Sequence, residues 1–433
     1  MPLSSYVKRK IVGVATLLVI FILLGAVFVF EHPQSPDFVA YELQVQKVFE
    51  DAKVQFELIR NVTLPSDVKC FVYTREQAVG RWGNDPSGLN TVSVLRQENI
   101  YKGLFLIDDA DSLVGAAAEW TASWMAVSVG HEIYVIYENF CPWTMPEAEA
   151  VLIHEFTHVW QADLPVPNSY DAERAYVALL EGDATYISDY YRTQYYIINH
   201  NVSRVAEGYD YSKSRSLSDL HSNSLGDSIY PLYGSGVVVE LNLFPYVKGR
   251  SFVSALVDRD GWDTLNLCYS PNYLPSATAH ILHPDKYFAD ETPKTLPTPT
   301  PVDNTWVNVP SKYGYPSDTY GEHFIYVMLN RWLSDNQAQK VAAGWCGDSF
   351  AYYEKDQDFL FAWHITWNSP QHANAFNQAF TDMLNIAGAN PQGDNVWFTN
   401  GRYLTLTWNP NTQSTLILCS TNQTATNSLF FTY

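Results

Sequence analysis

Residues 151–160 read VLIHEFTHVW, and this stretch constrains the fold more than any other in the 433-residue chain. On a helix, His154 and His158 stand one turn apart, so both imidazoles can converge on one ion. Leu152, Ile153, Phe156, Val159 and Trp160 are left to make an apolar face. Glu155 directly follows the first histidine and is offset from the pair. It reaches a water beside such an ion without ligating the ion itself, which is the logic of the H-E-x-x-H zinc hydrolases. A catalytic zinc takes three protein ligands and keeps one position open. The third is sought downstream, and Glu181 in ALLEGDATYISDYY is the best placed. It lies 23 residues after His158, beyond the proline-containing turn DLPVPNS. That is room for one helix to end and a second to pack antiparallel against it. Asp183 points to another side of that second helix and is read as a supporting or surface residue.

The plain alternative is a surface helix with two polar residues at i and i+4, since H-E-x-x-H also arises by chance. Local context favours the metal. TMPE at 144–147 has the form of a capping box, with Thr144 as N-cap and Glu147 three residues on. Before it, WMAVSV at 124–129 and EIYVIYE at 132–138 suggest a hairpin around Gly130.

The N-terminus bears on the compartment. VKRK at 7–10 precedes twenty uncharged residues at 11–30, long enough to cross a bilayer core as a helix. The basic side favours a cytoplasmic N-terminus. A cleaved signal peptide is the rival, but its apolar region is shorter and ends at a small-residue site, which FVFEHPQSP does not offer. The expectation is a single-pass anchor with the bulk of the chain outside the cytoplasm. Cys70, Cys141, Cys268, Cys346 and Cys419 form no CxxC pair. An oxidising exterior allows two disulfides, and Cys346 with Cys419 is one plausible pair. Sequons at Asn61, Asn201 and Asn422 are compatible with that side. A net charge of −20, from 46 acids and 26 bases, argues against nucleic-acid binding.

Residues 38–60 have helical spacing; 68–74 and 101–107 read as strands; helices are expected over about 170–198 and 238–258. ETPKTLPTPTPVDN at 291–304 reads as a semi-extended linker. After it come helical sequence at 320–345, paired strands at 349–355 and 359–367, a helix at 369–384 with Ser369 as N-cap, and two final strands, RYLTLTW and STLILCS.

HEFTH followed by ALLEGDA resembles the gluzincin class of zinc metallopeptidases, in which the third ligand is a glutamate on the next helix. Longer stretches resemble a group of bacterial and archaeal gluzincin-like proteins carrying HExTHxxQ, EGDA, FPYxxGxxFV and LHPEKY motifs. Here these are HEFTHVWQ at 154–161, FPYVKGRSFV at 244–253 and LHPDKY at 282–287, with GWDTLN at 261–266 and, further on, AAGWCGDSFAYYE and WNSPQHANAF. The resemblance spans roughly 40–385. It departs at 276–280, where SATAH replaces STEQ, so no acid is assigned there. The class also uses a Tyr or His beyond the third ligand to stabilise the oxyanion. Tyr246 and His283 are the candidates, with Tyr233 a third.

The expected protein is therefore α+β: residues 1–30 a basic stub and transmembrane anchor, 38–290 a gluzincin-like zinc metallopeptidase domain, 291–304 a linker, and 305–433 a small α+β module. His154, His158 and Glu181 hold Zn2+, Glu155 is the general base, and the substrate is a peptide or protein. EIYVIYE is a candidate to pair with an extended substrate as an added strand. The alternative is a surface-anchored binding or structural protein with a vestigial metal site.

Overall fold

The computed structural model describes residues 38–83, 90–113, 121–161, 165–200, 236–393, 395–409, 411–426 and 431–432. The expected anchor at 11–30, the sequon at Asn201 and Tyr233 lie outside them. The described residues divide into two α+β units. The first draws on 1–90, 113–166 and 177–273, and the second on 91–112, 167–176 and 274–433.

In the first unit, helix α1 (Phe38–Arg60) follows the expected period. It turns Tyr41, Val45, Val48, Phe49, Ala52 and Phe56 inward. Strand β1 (Lys69–Tyr73) pairs in parallel with β3 (Glu132–Ile136), and β3 pairs antiparallel with β2 (Ala126–Val129). Gly130, at φ +61°, makes the tight β2–β3 turn, a conformation glycine adopts without steric cost. Strand alternation sends Cys70, Ile133 and Val135 to the core side and Phe71 and Tyr134 to the other face. Helix α2 (Glu147–Trp160) packs on that core side. Its Phe156 ring lies 5.0 Å from that of Phe49.

Helix α3 (Tyr170–Tyr190) and helix α4 (Gly236–Asp260) approach backbone to backbone within the first unit. A Cβ on Gly182 would stand 2.3 Å from the Gly249 carbonyl carbon. One on Gly249 would stand 2.0 Å from the Ala178 carbonyl oxygen. Only glycines permit this approach, which fixes α3, and Glu181 with it, against α4.

In the second unit, the short strand β4 (Thr300–Pro301) precedes a seven-stranded sheet built from β5 (Val307–Val309), β6 (Trp345–Lys355), β7 (Asp358–Trp367), β8 (Asn390–Gly393), β9 (Val396–Thr399), β10 (Arg402–Asn409) and β11 (Ser414–Ser420), in the order β5-β6-β7-β11-β10-β9-β8. Ser369 caps helix α5 (Pro370–Ile386) as expected, accepting from His372 N. Asp348 is buried and accepts from Tyr320 N, Gly321 N and the indoles of Trp345 and Trp363. Segment 291–304 joins this unit, where Lys294 N donates to Cys346 O and Tyr353 donates to Pro299 O.

Several expectations are corrected. Among the described residues no helix is long and apolar enough to cross a membrane. The long helices α1 and α4 interleave charges such as Lys47, Glu50 and Asp51, or Lys248, Arg250 and Asp258. Each such charge costs about 2.5–3.5 kcal/mol at a bilayer centre. The single-pass anchor, and the extracytoplasmic placement that rested on it, are not supported. Residues 101–107 are not a strand: helix Asn90–Gly103 runs into them, because a short apolar run fits a buried helix end equally well. The capping box is absent. Pro146 occupies the N-cap and Thr144 instead donates to Cys141 O. Cys346 and Cys419 lie on β6 and β11 with β7 between them. Strands two apart are about 10 Å distant, beyond the reach of a disulfide. All five cysteines are free thiols. Finally, β3 is the central strand of its sheet, so both its edges are occupied and it cannot add a substrate strand. Of the described strands, β1 and β2 are its edges.

Candidate metal centre

Helix periodicity does what the sequence demands. His154 and His158 project from one side of α2, and Glu181 reaches them from α3. His154 Nε2 is 3.0 Å from His158 Nε2, and Glu181 Oε2 is 3.2 Å and 3.3 Å from the two nitrogens. These three residues can hold a metal ion. Zinc bonds of about 2.0–2.1 Å arranged tetrahedrally separate neighbouring ligand atoms by about 3.3 Å, so the observed triangle already has the size the ion requires. Glu181 is 1% exposed, and among the described residues its oxygens meet no donor other than the two imidazoles.

The cluster attracts one positive charge. Burial lowers His154 to about 4. Burial pulls His158 down too, but the Glu181 charge outweighs it and lifts the ring to about 9. Burial disfavours the Glu181 anion, and the two histidines overcome that, leaving its carboxyl below the ordinary value. Two imidazole nitrogens 3.0 Å apart cannot both carry protons, so a single cation shared among the three ligand atoms is the arrangement the charges favour.

Glu155 lies beside the cluster and is not part of it. It is 3% exposed, and burial raises its carboxyl to about 7. Ser128 hydrogen-bonds it through side chain and backbone. The strand register explains this contact: Ser128 on β2 pairs with Ile133, whose side chain is in the core beneath α2. The Oε2 of Glu155 has no hydrogen-bond partner among the described residues.

Of the candidate oxyanion donors, Tyr246 on α4 is brought to the site. Its ring is parallel to the His154 imidazole, with centroids 6.4 Å apart and planes 10° apart. His283 falls in the second unit, where its Nε2 is 2.5 Å from Glu322 Oε1 and Lys286 Nζ lies 3.2 Å from the other oxygen.

Sequence reasoning missed three supporting residues and underrated a fourth. Asp183 is fully buried, and Arg60, Gln161 and Tyr269 gather around it. Gln161 is the last letter of HEFTHVWQ and Asp183 the third of EGDA, so both belong to recognisable motifs. Arg60 and Tyr269 carried no local signal.

Comparison with known proteins adds little at this site. A family model described as "Domain of unknown function (DUF8575)" matches residues 311–426, which include none of the site residues. No curated protein matches the chain. Among solved structures, the chain is similar to a Chloroflexus aurantiacus protein titled "putative hydrolase with a novel fold", at 14% identity. That alignment covers 66% of this chain and 98% of the other with a TM-score of 0.36, a likeness too low to bear on function.

Proposed function

We propose that the chain is a zinc-dependent hydrolase of peptide bonds, gluzincin-like in its ligand set. His154, His158 and Glu181 hold the ion. The observation that carries this reading is the 3.0–3.3 Å triangle of two Nε2 atoms and one carboxylate oxygen. Two neutral imidazoles and a carboxylate are the donor set of catalytic zinc sites. When bound, zinc supplies Lewis acidity toward a carbonyl and acidifies water.

The chain's own residues supply the rest. Glu155, held near neutrality by burial, takes a proton from the attacking water and delivers it to the leaving amine. One of its oxygens is anchored by Ser128, which aims the other. Tyr246 is the residue beside the ligands that can donate a hydrogen bond to the developing oxyanion. The outer edge of β2, next to Glu155 through Ser128, offers backbone groups to an extended peptide.

A binding protein with a vestigial site has no use for a buried carboxyl adjacent to, but outside, the ligand set, and so Glu155 favours an enzyme. The test is digestion of a diverse peptide library by the full chain at full zinc loading, with Glu155→Gln alongside. The variant should keep its zinc and lose cleavage by about 10²–10⁴-fold. Equal cleavage by wild type and variant would refute the mechanism.

A further inference from the structure

A chain of hydrogen bonds leads away from the side of His158 opposite the metal cluster. His158 Nδ1 is 2.9 Å from Gln161 Oε1. Gln161 Nε2 donates to the Tyr269 hydroxyl at 2.9 Å and, at a longer 3.3 Å, to the Leu180 carbonyl. The Tyr269 hydroxyl donates to Asp183 Oδ2 at 2.6 Å. Arg60 Nη2 lies 3.1 Å from the same oxygen. Its guanidinium stands over the rings of Trp160 and Trp262, at 4.7 and 4.6 Å from their centroids. All four polar members are buried.

The direction of this chain follows from donor and acceptor chemistry. A carboxylate paired with a guanidinium only accepts, so Tyr269 must donate to Asp183. Having spent its one proton there, the Tyr269 oxygen accepts, and the Gln161 amide must turn its NH₂ toward it. The Leu180 carbonyl, which also only accepts, agrees with that orientation. Gln161 Oε1 therefore faces His158 as an acceptor, and His158 must carry its proton on Nδ1. In the neutral ring this leaves the lone pair on Nε2, the atom that faces His154 and Glu181.

We propose that the Arg60–Asp183 ion pair, acting through Tyr269 and Gln161, sets the tautomer of His158 and thereby makes that histidine a metal ligand. Arg60, Asp183, Tyr269 and Gln161 are positioning residues. The consequence for zinc rests on the function proposed above. The tautomer is a property of the chain alone.

Two measurements on the full chain test this. Labelling with ¹⁵N-histidine at a pH above about 9, where the His158 ring is neutral, with its signal identified by loss in His158→Gln, reads the tautomer of the metal-free protein. Competition with a chromophoric chelator reads zinc affinity. Asp183→Asn keeps the volume but can donate, which allows the chain to reverse and place the His158 proton on Nε2. Because that variant leaves Arg60 without its anion, Arg60→Met/Asp183→Asn is made beside it, removing both charges together. Both variants should shift His158 toward the Nε2–H form and bind zinc roughly 10–100-fold more weakly, with unchanged circular dichroism. A purely structural role predicts lower melting temperatures and the wild-type tautomer. The proposal is overturned if the folded double variant keeps the Nδ1–H form and binds zinc within twofold of wild type. Should the double variant not fold, Tyr269→Phe decides, with both tautomers populated expected and the wild-type tautomer overturning the idea. If wild type binds no zinc yet the tautomer shifts in the variants, the zinc reading fails and this inference stands. Zinc bound at one per chain with an unmoved tautomer sinks this inference and leaves the zinc reading in place.

Discussion

Gly249→Ala is a one-carbon change that should damage both fold and site. The new Cβ would stand 2.0 Å from the Ala178 carbonyl oxygen, 2.8 Å from its carbon and 3.1 Å from its Cα. Non-bonded carbon contacts settle near 3.5–4.0 Å, so α3 and α4 must part by more than about 1 Å. The obstacle is helix backbone, which no rotamer change relieves. Overpacking costs about 1–3 kcal/mol in ordinary cores, and the rigid neighbour puts this case at the upper end, about 3 kcal/mol. For a domain of this size that lowers the melting temperature by roughly 6–12 °C. Glu181 rides on α3 and Tyr246 on α4, so the same displacement loosens the ligand triangle, which tolerates only about 0.5 Å. Zinc affinity should fall with stability. The assays are a thermal melt of the metal-free protein and a chelator competition. Gly80→Ala is the control: a Cβ there meets nothing within 4 Å, and the change should stay within about 0.5 kcal/mol. If Gly249→Ala melts within ~2 °C of wild type, well below the shift expected here, and keeps its zinc affinity, the packing argument is wrong.

Two further outcomes are expected. Tyr246→Phe should keep its zinc and lose peptide cleavage by about 10²–10³-fold if Tyr246 is the oxyanion donor; an unchanged rate contradicts that role. In the second unit, burial raises Asp318 from 3.8 to about 6. Its folded value exceeds its unfolded one, so its contribution is present below about pH 4 and is lost as the pH rises through about 6, for a total of about 3 kcal/mol. Asp318→Asn should flatten that fall in melting experiments between about pH 4 and 6.5, a window set by the same two values; an unaltered slope contradicts the assignment.

What the sequence disclosed, and what it concealed, follows the range of the interactions involved. Helical spacing is local, and α1, α2 and the cap at Ser369 were legible from it. The His154–His158 spacing and the distance to Glu181 were legible for the same reason. The motif letters without an evident task acquire one in three dimensions. Gly182 and Gly249 are where two helices touch, Trp262 covers Arg60, and Gln161 and Asp183 are linked through Tyr269 in a hydrogen-bonded chain that ends on His158. Apart from Asp183, read as a supporting or surface residue, none of these was assigned beforehand, because each depends on a partner far along the chain, 123 residues away for Arg60 and Asp183. The failures have related causes. YKGLFLI reads as a strand because a short apolar run carries no period that distinguishes it from a buried helix end. TMPE looks like a cap, but Pro146, two residues after Thr144 and with its fixed φ and missing N–H, takes the N-cap position in its place. The pairing of Cys346 with Cys419 depended on strand order, which a sequence does not state.

Metal content measured on the purified full chain tests the ligand triangle most directly. Wild type dialysed against zinc should hold one ion per chain, displaced by chelator, and Glu181→Ala should bind it severely more weakly, since two histidines alone hold zinc poorly. A Glu181→Ala protein that is folded and keeps full zinc occupancy and affinity would contradict the site proposed here.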